Sequence, residues 1–207
     1  MTKTASATAR AARALLASLL LTALVSSPSA AETWVIDPAH TVSGFTVRHM
    51  MITNVSGVFE VTKGTIEYAI GDPNTIKADI TIETKSVNTR IARRDDDLRS
   101  DNFFNAEKFP TITFKSKRVQ NARADGFELV GDLTIRDVTK EVVLRVEGPT
   151  APIKDPQGNR RVGANATTTI NRKDFNINYN RVIEGGGVVV GDEVKINVEI
   201  EAIEKKS

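Results

Sequence analysis

EVKINVEIEAI, at residues 193–203, alternates an apolar side chain with a polar one along most of its length. The segment KADITIET at 77–84 shows the same alternation, and residues 127–136 repeat it. Side chains of a β-strand point alternately to its two faces, so this period of two predicts strands with one apolar and one charged face.

Shorter or less regular runs of the same kind occur at 41–50, 55–61, 64–70, 111–119, 140–147 and 162–170. Turn-forming residues such as Asp155-Pro156-Gln157-Gly158 separate them. About eight strands with short connections, and no alternation of strands with helices, predict an all-β fold of antiparallel strands. Because closing the sheet removes its exposed edges, we predict an eight-stranded antiparallel up-and-down barrel, with a β-sandwich as the alternative.

The charged faces decide which side of the barrel meets water. Lys77, Asp79 and Glu83 lie on one face of a single strand. Placing a lysine against lipid at mid-membrane costs about 2–4 kcal/mol, so these side chains are expected to face water and the apolar side chains to point inward. This excludes stable membrane insertion.

A barrel of eight strands can have a filled interior or hold one ligand, and the alternation is compatible with both. Free space is favoured by small residues at positions expected to face inward, which are Gly57, Ala78, Gly131, Ala164 and Ala166.

One segment departs from the strand pattern. Residues 89–101, TRIARRDDDLRSD, are too charged for a buried strand and predict a short helix with Ile91 and Leu98 on one side. Asn88 or Thr89 is the expected N-cap. Since Phe103 and Phe104 follow at once, we expect this segment to form a cap over one end of the barrel.

The first 31 residues have the pattern of a cleavable signal peptide. Basic residues at 3, 10 and 13 precede an apolar run at 14–25, which is well short of the ~20 residues that span a bilayer. Ser29-Ala30-Ala31 supplies the small residues of a cleavage site, so residues 32–207 are predicted to form one exported domain.

Composition limits the chemistry of this domain. The chain has no cysteine, which excludes disulfides and thiolate chemistry. Three of its 28 basic residues lie in the leader, so the remainder carries 25 basic against 26 acidic residues and gives no reason to expect nucleic-acid binding. The sequence leaves pairing into a homodimer open.

Candidate catalytic residues are few. His40 and His49 are the only histidines, and on a continuous strand their odd spacing would place them on opposite faces. No nucleophile or third metal ligand accompanies them, which favours structural or ligand-contacting roles over catalysis or metal binding. The arginines of the predicted helix, such as Arg94, suit a phosphate head group, but a solvated helix face with internal ion pairs is favoured.

Several strings resemble the YceI-like family of polyisoprenoid-binding periplasmic proteins. They are Trp34-Val35-Ile36-Asp37-Pro38-Ala39-His40-Thr41, Leu98-Arg99-Ser100-Asp101-Asn102-Phe103-Phe104, Lys108-Phe109-Pro110-Thr111, Gly131-Asp132-Leu133-Thr134-Ile135 and Lys173-Asp174-Phe175. The match runs in order through the whole predicted mature chain.

The resemblance implies a lipocalin-like barrel with a helical cap and a long apolar cavity. Its ligand would be an isoprenoid lipid, such as a polyprenyl phosphate or a quinone tail, or another long-chain amphiphile, with no cofactor and no enzymatic activity. A barrel enzyme, an isomerase or hydrolase acting on a hydrophobic substrate, is the alternative. The expected wall residues are Phe45, Phe59, Ile80, Ile82, Leu98, Phe103, Phe104, Phe114, Leu133, Ile135 and Phe175, with polar contacts from His40, His49 and Arg94.

Overall fold

The structure, a computed structural model, describes residues 30–184 and 186–206. The predicted leader lies outside these residues except for Ala30 and Ala31, and so does Ser207 at the end of the predicted domain. The elements are β1 (Glu32–Ile36), β2 (Val42–His49), β3 (Thr53–Phe59), β4 (Thr62–Ala69), β5 (Asp72–Glu83), β6 (Val87–Asn88), α1 (Ala92–Arg99), β7 (Thr111–Gln120), β8 (Gly126–Ile135), β9 (Val138–Glu147), β10 (Ile153–Lys154), β11 (Arg160–Asn171) and β12 (Val190–Glu204), with 3₁₀ helices at Thr84–Ser86 and Arg172–Phe175.

The strands close into an eight-stranded antiparallel barrel, as predicted. Its ring runs β1, β4, β5, β7, β8, β9, β11 and β12, and β12 closes it by pairing with both β11 and β1. Closure is uneven, because β9 pairs with β11 only where Arg145–Glu147 lies opposite Asn165–Thr167.

β1 and β2 together form one long, bent strand, and β3 and β4 form another. β1 and β2 both pair with β12, with Ile36 opposite Ala202 and Val42 opposite Glu199. Pro38 lies at the bend, where its missing N–H cannot join a ladder. β3 and β4 pair with β2 and β1 in the same way, so the outer halves β2 and β3 form a hairpin that extends one end of the barrel.

This extended end, called the upper end, also carries α1, the β8–β9 turn and residues 172–189. The lower end carries the start of β1 and the β4–β5 and β7–β8 turns. The apolar core lies inside the ring, where Trp34 and Ala202 are fully buried. Charged side chains pair on the outer face, as Lys115 does with Asp79.

The predicted cap helix is present but shorter than expected. It spans Ala92–Arg99, and Ile91 stands at its N-cap without a side-chain hydrogen bond, so the predicted capping by Asn88 or Thr89 is wrong. Ile91 is exposed while Leu98 packs against the core, so the two do not share a face. Within the described residues, none of the helices has both the length and the apolar character needed to cross a bilayer.

Candidate functional site

An apolar chamber of about 190 Å³ occupies the upper half of the barrel. Ten of the predicted wall residues line it, and these are Phe45, Phe59, Ile80, Ile82, Leu98, Phe103, Phe104, Phe114, Leu133 and Ile135. Three polar side chains share the lining, Ser43, Thr168 and Arg172. Inward-facing residues of β12 such as Val194, Ile196 and Val198 are only half-buried, because their surfaces face this chamber.

A second chamber of about 80 Å³ lies below the first. Its wall includes Trp34, Tyr68, Phe127 and Val162. The two chambers share the wall residues Ile80, Phe114, Leu144, Ala166 and Ile200, called here the waist. The two chambers therefore lie in tandem along the barrel.

Aromatic rings pack against two of the small residues that were expected to leave free space. A Cβ at Gly57 would lie 2.5 Å from Cζ of Phe45, and one at Gly131 would lie 2.5 Å from Cζ of Phe114. The alanines at 78, 164 and 166 do line the lower chamber. Of the five small residues, the three alanines therefore border free space inside the barrel, and the two glycines do not.

The cap is fastened to the barrel by polar contacts from its charged residues. The buried Asp95 carboxylate accepts hydrogen bonds from the Thr89 backbone N–H and hydroxyl, at 2.8 and 2.5 Å. Arg94 donates to the hydroxyl and carbonyl of Thr89, and Arg99 donates to the carbonyl oxygens of Lys85 and Val87. Arg94 therefore lies outside the chamber lining, with its guanidinium turned to Thr89 instead.

Three other predicted contact residues also lie away from the chambers. The side chain of His40 is 59 % exposed, and its Nδ1 lies 2.8 Å from Asp37. His49 is the last residue of β2, opposite Thr53 and Val190. Phe175 is buried in the core beside the upper end, but neither chamber lining includes it.

Sequence reasoning missed Arg172, a buried cation at the upper chamber. Its guanidinium donates to the carbonyl oxygens of Gly191, Ile177, Tyr179 and Val190 and to the carboxylate of Asp192. Burial lowers the pKa of Arg172, and the Asp192 charge opposes that shift. All five N–H groups are engaged, so this arginine joins the segments before and inside β12 rather than offering free donors to a ligand.

A second arginine, Arg161, organises an ion-pair cluster at the side of the barrel. It donates to the carboxylates of Asp37, Asp155 and Glu201. Hydrogen bonds from His40 and then Arg161 lower the pKa of Asp37 to about 2, and the bond from Arg161 lowers that of Asp155 to about 2.

Asp37, His40 and Glu201 place potential metal-ligand atoms within 4.8 Å of one another. However, the Arg161 guanidinium already bonds both carboxylates, which puts a fixed positive charge where a cation would bind.

A larger concavity of about 1000 Å³ lies on the outer face. Its lining includes the outward-facing side chains of Thr46, Ser56, Arg145, Lys195 and Asn197. This surface is wide and open to water, whereas small-molecule sites are enclosed. The tandem inner chambers are therefore the candidate site.

Comparison with known proteins agrees with this architecture. The family model described as YceI-like domain matches residues 34–202. The UPF0312 protein SAS2572 of Staphylococcus aureus strain MSSA476 is 36% identical over 165 residues, which cover 80% of this chain and 94% of that protein.

Solved structures show the same likeness. The YCEI protein of Campylobacter jejuni aligns with a TM-score of 0.66 at 32% identity, covering 77% of this chain and 90% of that one. A polyisoprenoid binding domain from Saccharophagus degradans, implicated in plant cell wall breakdown, aligns at a TM-score of 0.59 and 16% identity over 83% of this chain and 98% of its own. The latter likeness concerns the fold alone. The chain therefore belongs to the YceI-like family.

Proposed function

We propose that this protein is a periplasmic carrier that holds an isoprenoid-type lipid, such as a polyprenyl phosphate or a quinone tail, or a similar long-chain amphiphile. The observation that carries the proposal is the pair of apolar chambers in tandem inside one barrel. The polyisoprenoid binding domain of Saccharophagus degradans, with the same fold, supports the choice of an isoprenoid chain.

The dimensions of the barrel suit an extended hydrocarbon chain. Residues Val194 to Ala202 of β12 line the two chambers. At about 3.3 Å per residue and a strand tilt near 40°, they span roughly 20 Å of the barrel axis, the length of about four isoprene units. Each buried methylene-sized group contributes about 0.8 kcal/mol, so affinity should rise with chain length until the chambers are full.

The polar groups of the upper chamber are mostly engaged with the protein. The Ser43 hydroxyl bonds that of Thr62 at 2.8 Å, and Arg172 has no free N–H. Burying an unpaired polar head against such a wall would be costly. We therefore expect the hydrocarbon to occupy the chambers and the head group to stay near solvent at the upper end.

Export to the periplasm is the part of the proposal that depends on residues 1–31. The expected result is a mature chain that begins at Glu32, found in the periplasmic fraction by N-terminal sequencing. Recovery of the full-length chain from the cytoplasm would contradict it.

The ligand is tested by purification without detergent, organic extraction and mass spectrometry. Trp34 is the only tryptophan and lines the lower chamber, so its fluorescence should respond as isoprenoid alcohols of 10, 15 and 20 carbons are titrated, with affinity rising along the series. The control is Thr167→Val, which changes the outer face of β11 only. Recovery of no stoichiometric lipid, together with no saturable change in Trp34 fluorescence, would count against the proposal.

The alternative, an enzyme acting on a sequestered substrate, rests on the two histidines. Neither lines a chamber. We expect the double variant His40→Gln/His49→Gln to bind the same isoprenoid with the same affinity and to release it unchanged. Conversion of the ligand by the parent protein, lost in the double variant, would favour the enzyme.

A further inference from the structure

The β2–β3 hairpin ends in three consecutive apolar residues at the upper end of the barrel. Met50, Met51 and Ile52 are all exposed, Ile52 by 74%, and Val182 on the neighbouring segment is exposed by 79%. These four residues are called the apolar tip. At the same end the β8–β9 turn carries Arg136 and Asp137 instead, and Ile91 beside α1 is exposed singly.

The apolar tip is an ordered surface built from two chain segments. The backbone N–H of Met50 donates to the Val189 carbonyl at 2.8 Å, and that of Ile52 donates to His49 at 3.1 Å. A bridge between Val182 and Val188 holds the second segment. The exposed side chains are therefore presented together.

The backbone of the hairpin turn is strained by the residues it carries. Met50 and Met51 have φ values of 48° and 62°. A two-residue turn with two positive φ values is best made by Asn-Gly, because other L-residues crowd their Cβ in this region. The twist of a hairpin favours this turn, but methionine does not suit it, so fold stability does not explain why Met50 and Met51 stand there. Backbone strain of this kind is concentrated at functional sites.

The charges around the tip suit an anionic lipid surface. Arg48 is exposed, and its guanidinium donates to the Met51 carbonyl at 3.1 Å, which holds the positive charge at the turn. Arg181 is exposed beside Val182, and one carboxylate, Glu184, lies on the same segment. Guanidinium groups bind phosphate well, and exposed apolar side chains rimmed by them fit the boundary between head groups and acyl chains.

The tip is continuous with the upper chamber. Val47 lines that chamber and lies three residues before Met50. Val190 also lines it and follows Val189, whose carbonyl accepts the hydrogen bond from Met50. We propose that the apolar tip docks on anionic bilayers, with Arg48 and Arg181 at the level of the phosphates, so that the upper chamber faces the lipid from which it takes its ligand. The purpose of docking rests on the proposed carrier function, whereas docking itself is measurable without any isoprenoid.

The test is sedimentation with vesicles of phosphatidylethanolamine and phosphatidylglycerol. The double variant Met50→Asn/Met51→Gly should bind about tenfold or more weakly, because two side chains that bury apolar surface are gone. It should also unfold at a higher urea concentration than the parent, since Asn-Gly suits the turn. Ile52→Ser is a second variant that leaves the turn unchanged and should also weaken binding. Ile153→Ser removes a residue that is 65% exposed at the lower end, and it should bind as the parent does.

The charge contribution is tested separately. Arg181→Gln should weaken binding to these anionic vesicles about fivefold and leave binding to pure phosphatidylcholine unchanged. Arg123→Gln, at the lower end, is the matched control.

The proposal is overturned if the parent does not sediment with anionic vesicles, or if the tip variants bind as tightly as Ile153→Ser. It is also overturned if Met50→Asn/Met51→Gly abolishes a dimer in analytical ultracentrifugation while the parent ignores vesicles, because the tip then contacts a second copy. Titration of Trp34 fluorescence with a 15-carbon isoprenoid alcohol in solution tests the carrier function independently, and the tip variants should retain the parent affinity.

Discussion

Filling the waist between the two chambers should stabilise the protein and weaken its hold on a ligand. Ala166 lies on β11, lines both chambers and is only 4% exposed. Leucine at this position adds three carbons, each contributing about 0.8 kcal/mol if it finds free apolar space, which sets an upper bound of about 2.4 kcal/mol. Cavity-filling substitutions usually yield about 0.5–2 kcal/mol, so we expect Ala166→Leu to raise the free energy of unfolding by about 1–2 kcal/mol.

The same three carbons would stand in the path of a chain that passes from one chamber to the other. We expect the affinity for a 20-carbon isoprenoid alcohol to fall about tenfold or more, while a 10-carbon alcohol that fits the upper chamber alone loses less. Urea unfolding followed by circular dichroism measures the first effect, with an unchanged m-value. Titration of Trp34 fluorescence measures the second. Thr167→Val, one residue away on the outer face, should change neither.

The sign of the stability change decides between an open and a filled interior. If side chains closed the waist, the added carbons would force neighbouring residues out of their rotamers and destabilise the protein by about 1–3 kcal/mol. A loss of stability with unchanged affinity for the 20-carbon alcohol would therefore refute the assignment of the chambers as the ligand site.

Three further outcomes are expected from the polar clusters. In the parent, the low pKa of Asp155 contributes stability that is complete above about pH 4 and is lost as the pH falls through 2. Arg161→Gln should therefore lower the urea midpoint at pH 7, and the midpoint should depend less on pH between pH 4 and 2. Asp95→Ala should cost about 1–3 kcal/mol by leaving the Thr89 donors unpaired, and should speed isoprenoid exchange in stopped-flow fluorescence. Arg172→Met should cost about 3–5 kcal/mol in urea unfolding, because the carbonyl oxygens of Gly191, Ile177, Tyr179 and Val190 lose their donor.

The chamber wall could be predicted from the sequence because strand geometry fixes it. Ile80 and Ile82, like Leu133 and Ile135, alternate with charged or polar neighbours. Because those neighbours must face water, all four apolar side chains are predicted to point into the barrel. The sequence does not predict β1 as a strand, because Glu32–Ile36 is too short to show a period.

The polar clusters could not be predicted, because barrel closure assembles them from distant segments. Arg161 bonds Asp37 across 124 residues of sequence, and nothing local marks either residue as a partner of the other. The sequence suggests His40 for the ligand site because it is one of two histidines, yet the exposed His40 pairs with Asp37 outside the chambers. The filling of the interior also depends on three-dimensional packing, since a glycine such as Gly57 leaves room that the ring of Phe45 then occupies.

The way the upper end is fastened indicates how a ligand passes in and out. α1 has eight residues and buries only Asp95, so it is too short to be stable alone and depends on its contacts with Thr89, Lys85 and Val87. The ladder between β9 and β11 is also short. Displacing the cap breaks a few hydrogen bonds, whereas parting β11 from β12 breaks a ladder of eleven residue pairs that runs along almost all of β11. Local opening favours the weaker contacts, so passage belongs at the upper end, where the apolar tip also lies.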